Sequence, residues 1–151
     1  MKKYIDSNTL LAGLTSILIL LWIYTAFSKI IDYDEFKGQL TNQVFSKGFT
    51  KVLAFVLPAI EILTGVLLLF RKSCLAGFVL SALLMGIFTA YIALVLSGYY
   101  NYTPCSCGGV LKSLSWKSQL YFNCVFLFIA LLGSYLQIKS LRKRKEDTSI
   151  Q

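Results

Sequence analysis

Four long runs of apolar residues constrain this chain more than any other feature of its sequence. They cover 18, 19, 23 and 19 residues, in the order Leu10–Phe27, Val52–Phe70, Cys74–Leu96 and Leu120–Ile138. At a rise of about 1.5 Å per residue, each run forms a helix roughly 27–35 Å long, which matches a hydrocarbon core of about 30 Å. Lipid offers no partner for an unpaired backbone amide, and the runs lack the polar alternation of a barrel strand. The sequence therefore predicts an all-α fold, a four-helix transmembrane bundle in a lipid bilayer.

Composition narrows the chemistry that such a bundle can perform. Hydrophobic residues make up 56% of the chain and charged residues 15%, which is too apolar for a soluble surface. The chain contains no histidine, which excludes imidazole-ligated zinc or haem and every catalytic site with histidine as its base. No metal site is predicted. Proton chemistry must use a carboxylate, thiol, tyrosine, lysine or cofactor.

The distribution of basic residues predicts the orientation of the bundle. Nine basic residues lie at the two ends of the chain and in the 71–72 turn, against six in the other two loops. The positive-inside rule then places both termini in the cytoplasm. Lys2 and Lys3 precede an apolar run as in a signal peptide, but 18 residues exceed an h-region of about 7–15, so this run is predicted as the first span.

The chain is predicted to form one membrane domain, residues 1–140, followed by a basic cytoplasmic tail, residues 141–151, that is disordered from about Lys145. The basic tail is typical of contact with anionic lipid, and no nucleic-acid partner is predicted because no recognition motif accompanies the charge. In the first outer loop, apolar residues at near-helical spacing predict a short interfacial helix: Phe36, Leu40, Val44, Phe45 and Phe49. Small residues at four-residue spacing in the third span predict that it approaches another helix closely: Gly77 with Ser81, and Ala82 with Gly86 and Ala90.

The second outer loop contains two cysteines one residue apart, Cys105 and Cys107, between Pro104 and a pair of glycines. A disulfide between them would close a very small, strained ring, and strain favours thiol–disulfide exchange. The alternative is a structural disulfide to another partner or a bound metal. Cys124, in the fourth span, is a possible resolving thiol or a packing residue. Cys74, at the cytoplasmic end, is interpreted as a small buried hydrophobe.

Glu61 is the only acidic residue inside a predicted span, three residues after Pro58. A carboxylate near the middle of a bilayer must be protonated or paired within the bundle. Its functional interpretation is a proton relay, or the polar end of a quinone or lipid pocket. The alternative is a neutral hydrogen-bonded contact with one of three polar residues, Tyr91, Thr64 or Asn123. Lys29 is interpreted as a snorkelling anchor, or as a partner for Asp32 or Glu61.

Several segments together resemble the methylamine-utilisation MauE family, a branch of the DoxX-like four-helix membrane proteins. The matching pieces are Tyr24, Ser28–Ile30, Asp32 and Phe36 after the first span, Leu57–Ile62 with Gly65 in the second, and Cys105–Leu111 with Leu114, Trp116 and Asn123 before the fourth. The resemblance implies a bacterial inner-membrane protein that works beside a periplasmic thioredoxin-like or cysteine-containing exported protein, with a quinone as a possible cofactor. Trp116, Gln119 and Asn123 would support the site. Many relatives carry histidine where Gln119 stands, and glutamine cannot shuttle a proton, so proton transfer is left to Glu61 or water.

The leading hypothesis is a component of thiol–disulfide exchange or electron delivery, in which Cys105 and Cys107 react with an exported partner and Glu61 serves as the acid. A second hypothesis is a non-catalytic assembly subunit that docks exported proteins, with the cysteines bracing the outer loop. A third, a small transporter coupled through Glu61, is weaker because the chain shows no internal repeat and one interior acid.

Overall fold

All regular structure in the described part of the chain is helical. The computed structural model describes residues 7–41, 47–98 and 116–149. Within these ranges the helices are α1 (Ser7–Ile31), α2 (Tyr33–Thr41), α3 (Lys47–Leu69), α4 (Cys74–Leu96) and α5 (Trp116–Ser149). Four helices are long and apolar enough to cross a bilayer: Thr9–Ile31, Gly48–Leu69, Cys74–Leu96 and Lys117–Lys145. The predicted four-span helical fold is confirmed at this level, and the cytoplasmic placement of the termini remains a prediction.

The helix boundaries extend beyond most of the apolar runs. The third span coincides with its predicted bounds, Cys74–Leu96. Helix α1 continues to Ile31, past Lys29, because the lysine finds a partner inside the bundle instead of ending the helix. Helix α5 continues through residues 141–149, where the sequence predicts a tail disordered from about Lys145. Lysine, arginine and glutamate, which dominate this stretch, are good helix formers.

The helices alternate in direction along the bundle. Helix α1 is antiparallel to α3, because Trp22 lies against Gly65 whereas Lys29, two turns further along α1, meets Glu61, one turn earlier in α3. The turn 70–73 returns the chain directly into α4, and the Ser73 amide donates to the carbonyl of Phe70 at 3.1 Å. The ends of α1 and α4, with α2 and the start of α5, therefore share one end of the bundle, here called the loop end. The start of α1, the turn 70–73 and the end of α5 share the opposite end, here called the terminal end.

Two glycines allow close helix packing in the core. A Cβ on Gly77 would lie 2.8 Å from Leu68 Cγ and 2.9 Å from the Leu68 backbone nitrogen, so α4 meets the end of α3 with no space for a side chain. A Cβ on Gly133 would overlap the ring of Phe78, which is fully buried between α4 and α5. By contrast, Gly86 has no neighbour within 4 Å of such a Cβ. The predicted close approach is confirmed at Gly77 and is wrong at Gly86.

Helix α2 packs on the first turns of α3. Its apolar residues Phe36 and Leu40 are 4% and 2% exposed and contact Ala54. Asp32 links α2 to α1, since its amide donates to the Ser28 carbonyl at 3.1 Å and its carbonyl accepts from the Phe36 amide at 2.9 Å. A helix therefore occurs in the first loop, although Phe49 belongs to α3 and Val44 and Phe45 lie outside the described residues. Its position at a membrane surface remains a prediction.

A buried hydrogen-bond chain joins α1 to α4. The indole Nε1 of Trp22 donates to Ser81 Oγ at 2.9 Å, and the Ser81 hydroxyl donates to the Gly77 carbonyl at 2.8 Å. Both Trp22 and Ser81 are 0% exposed, so no water replaces a lost bond.

We expect Ser81→Ala to lower the free energy of unfolding by about 1–3 kcal/mol, because it leaves the buried indole N–H without an acceptor. Unfolding of the purified protein in detergent micelles would measure the change. Ser97→Ala is the matched control, since Ser97 is exposed and its hydroxyl donates only to its own helix. Equal stability of the two variants would contradict this role of Ser81.

Candidate functional site

A buried ion pair joins the first two spans. Lys29 Nζ donates to Glu61 Oε1 at 2.5 Å, and each side chain is 1% exposed. The interior of a bundle is a poor solvent for a lone charge, and a paired lysine and carboxylate stabilise each other there. The pairing of Glu61 within the bundle is confirmed, with Lys29 as its partner. Lys29 does not snorkel to the surface.

Three elements enclose the ion pair. Helix α2 covers it from the loop end, where Lys29 Nζ lies 5.8 Å from the centroid of the Phe36 ring, within the range of a cation–π interaction. Thr25, one turn before Lys29, lies beside the Glu61 carboxylate, and its hydroxyl donates to the Trp22 carbonyl at 3.2 Å. The site is therefore formed by α1, α2 and α3, and α2 closes it.

The second carboxylate oxygen of Glu61 is available for hydrogen bonding. Among the described residues, no donor reaches Glu61 Oε2, although this atom is fully buried. An unsatisfied buried acceptor is costly, so such an atom in a folded protein indicates a bound water, a ligand or a transferable proton. Glu61 is thus held by Lys29 through one oxygen, and its other oxygen has no donor among the described residues.

The backbone of α3 is also unusual beside Glu61. Pro58 lies within the helix, one turn before Glu61, and has no N–H to donate to the carbonyl of Ala54. Glu61 lies fourteen residues after Lys47, which is roughly 21 Å along the helix axis. The carboxylate therefore lies well inside the span. The proline one turn away removes a backbone hydrogen bond of the helix next to it.

The other predicted site residues lie on α5 or outside the described structure. Cys105 and Cys107 fall in residues 99–115, which are not described. Gln119 and Asn123 are buried, at 2% and 6% exposure, one helical turn apart on the same face of α5. Neither side chain forms a hydrogen bond with Lys29 or Glu61. The structure therefore does not join these two α5 residues to the ion pair. Trp116 is the first residue of α5.

Cys124 and Cys74 differ in exposure. Cys124 is exposed on α5, so it does not pack between the helices as a packing residue would. Its pairing with a loop cysteine remains a prediction. Cys74 is 7% exposed and belongs to the main apolar core, which confirms its interpretation as a buried residue.

Sequence reasoning missed several residues around the ion pair. Phe36 carries an apolar pattern that predicts an interfacial helix, but nothing in it indicates contact with Lys29. Thr25 and the Trp22–Ser81 bond also carry no sequence signal, because these contacts join positions 36 and 59 residues apart. Only helix register brings these side chains together.

The described residues offer an apolar groove but no metal centre. Among residues 7–41, 47–98 and 116–149, no three His, Cys, Asp or Glu side chains come together. A groove of about 280 Å³ lies between α1 and α5 near the loop end, and its lining is almost entirely apolar: Ile17, Leu20, Leu21, Tyr24, Phe122 and Phe126. The rings of Phe122 and Phe126 lie 4.5 Å apart. Among the described residues that line the groove, Tyr24 supplies the one polar side-chain group, its hydroxyl.

The four spans and the buried ion pair define a multi-pass α-helical membrane protein. Within that class, residues 7–136 match the family described as Methylamine utilisation protein MauE. The match covers most of the chain, from α1 into α5, and the chain belongs to the MauE family. No curated protein and no solved structure matches this chain.

Proposed function

We propose that this protein supports thiol–disulfide exchange with exported proteins through Cys105 and Cys107. The observation that carries the proposal is where the segment between α4 and α5, which contains Cys105 and Cys107, joins the bundle. It leaves α4 after Leu96 and enters α5 at Trp116, so both of its ends lie at the loop end, where α2 covers Lys29 and Glu61. The cysteine pair is therefore connected through both helices to the loop end, and this end faces the exported side if the termini are cytoplasmic.

The proposed exchange balances two electrons and two protons. A partner thiolate attacks one sulfur of the Cys105–Cys107 disulfide and forms a mixed disulfide, which the second partner thiol resolves. The partner gains a disulfide, and the loop pair gains two electrons and two protons. A membrane quinone is the class of acceptor that would take both, becoming a quinol. The groove beside Tyr24 would hold its ring.

Glu61 is the acid that we assign to proton movement within the bundle. Its Oε2 has no hydrogen bond among the described residues, whereas Oε1 is held by Lys29. Such a carboxylate can accept a proton without leaving its position. The bacterial inner membrane is the location that this function requires.

The decisive experiment compares two cysteine variants in intact cells. We expect Cys105→Ser/Cys107→Ser to abolish mixed disulfides with exported proteins, detected by acid trapping and non-reducing electrophoresis. Cys74→Ala is the control, because it removes a buried core cysteine and keeps Cys105, Cys107 and the possible resolving thiol Cys124. It should form mixed disulfides at the level of the unaltered chain.

Two results would overturn the proposal. One is unchanged oxidation of exported proteins in the Cys105→Ser/Cys107→Ser variant, which would leave a docking role without thiol chemistry. The other is labelling of Cys105 and Cys107 only by reagents that enter the cytosol, which would place the pair in the reducing compartment.

A further inference from the structure

A second, larger pocket lies at the terminal end of the bundle, far along the helices from Glu61. Its volume is about 450 Å³, and all four spans contribute to its lining. The start of α1 forms one wall with Leu11, Thr15 and Ile19, and the last turns of α5 form the opposite wall. Cys74, the first residue of α4, also lines the pocket. The pocket therefore lies where the positive end of the α4 dipole meets the bundle surface.

The pocket is positively charged. Arg71, from the turn between α3 and α4, and Arg144, from α5, both line it, and no acidic side chain among the described residues does. Arg144 also interacts elsewhere in the chain. A guanidinium group carries five N–H donors, so it can bind an anion as well. Two arginines from separate segments of the chain, the 70–73 turn and α5, thus line one cavity.

A glutamine that is mostly buried also lines this cavity. Gln137 of α5 lines the pocket and is only 8% exposed, yet it forms no hydrogen bond with another described residue. The hydroxyls of Thr15 and Ser16, by contrast, already donate to carbonyls of their own helix, at 2.7 and 2.9 Å. The Gln137 amide carries two N–H donors and a carbonyl acceptor, so it can hydrogen-bond to a polar ligand in the cavity.

We propose that this pocket binds the phosphate headgroup of an anionic phospholipid. Arg71 and Arg144 would bind the phosphate, and the Gln137 amide would donate to a phosphate or glycerol oxygen. The apolar residues Leu11, Leu69 and Leu141 line the same cavity and would contact the first part of the acyl chains. A free phosphate ion would leave these leucines uncovered, so the mixed lining favours a lipid.

Lipid titration of the purified full-length chain by native mass spectrometry tests this site. We expect the affinity for phosphatidylglycerol to fall about tenfold or more in Arg71→Gln/Arg144→Gln. The matched control is Lys72→Gln/Lys143→Gln, which removes the same charge from exposed neighbours outside the lining and should change the affinity by less than about threefold. Gln137→Leu keeps the charges of Arg71 and Arg144 and should also weaken phosphatidylglycerol binding. It tests the site even if the double arginine variant does not fold.

Titrations with phosphatidylcholine and with inorganic phosphate distinguish an anionic lipid from other ligands. Binding of phosphatidylglycerol well above phosphatidylcholine, with no competition from inorganic phosphate, would support the proposal. Equal losses in the arginine and lysine double variants would overturn it, because the effect would then be diffuse attraction. Equal binding of phosphatidylcholine, full competition by inorganic phosphate, or unchanged affinity in Gln137→Leu would each overturn it as well.

Discussion

Glu61→Ala is expected to lower the free energy of unfolding by about 3–5 kcal/mol, the range found when one partner of a buried ion pair is removed. The Lys29 ammonium group would be left 1% exposed and without its counterion. Lys29→Ala should cost a similar amount, because it leaves the Glu61 carboxylate alone in the same place. Chemical unfolding of the purified protein in mixed micelles measures both losses.

The double variant Lys29→Met/Glu61→Leu is expected to recover most of this stability. Replacing both charges with apolar side chains of similar volume removes the cost of burying ions, and such replacements are often neutral or stabilising. Lys117→Ala provides the control, because Lys117 is exposed on α5 and should change stability by less than about 0.5 kcal/mol. Single variants as stable as the unaltered chain would contradict the buried pairing.

The same double variant separates the structural role of Glu61 from its proposed chemistry. If it folds, Cys105 and Cys107 remain in place while the interior acid is absent. The proposed function then predicts slower formation of partner disulfides in a variant that keeps most of its stability. Full turnover would show that Glu61 acts only as half of a structural ion pair.

Gly133→Ala is expected to destabilise the bundle by about 1–3 kcal/mol, the usual cost of overpacking. The added methyl group would overlap the ring of Phe78, which is 0% exposed. Gly86→Ala is the matched control, since Gly86 also lies inside a spanning helix but has no neighbour within 4 Å of the added atom. It should be neutral or up to about 1 kcal/mol more stable, because alanine is the better helix former. Thermal unfolding of both variants in detergent gives the comparison.

A second substitution tests the cause of the Gly133 effect. Phe78→Leu frees space next to position 133, so Phe78→Leu/Gly133→Ala should be more stable than the sum of the two single changes predicts. Simple addition of the two losses would show that the alanine acts through something other than contact with the Phe78 ring.

The four spans could be predicted from the sequence because lipid imposes a simple condition. A backbone that crosses a bilayer must satisfy its own hydrogen bonds, and runs such as Cys74–Leu96 do so as one uninterrupted helix. The helical tail could not be predicted in this way, because residues 141–149 carry charged residues that suit a helix and a solvated coil equally well. Family membership was also predictable, since it rests on the order and spacing of short motifs.

The candidate site was only partly predictable. Glu61 stands out because it is an acid inside an apolar run, which made a partner or a proton necessary. The sequence does not single out its partner, because Lys29 lies 32 positions away and near a predicted span end, where lysine usually reaches outward. The groups that surround the pair, Thr25 and Phe36, belong to different helices and carry no local signal.

The amino-acid sequence by itself determined the class of this protein: a helical bundle in lipid, with one interior acid and a cysteine pair between its last two spans. The tertiary structure decided which side chains meet: Lys29 with Glu61 under α2, Trp22 with Ser81, and two arginines around the pocket at the terminal end. The reason is that hydropathy acts on each helix separately, whereas contacts between helices depend on their rotation and register. In this bundle, register is set by close packing at positions such as Gly77 and Gly133.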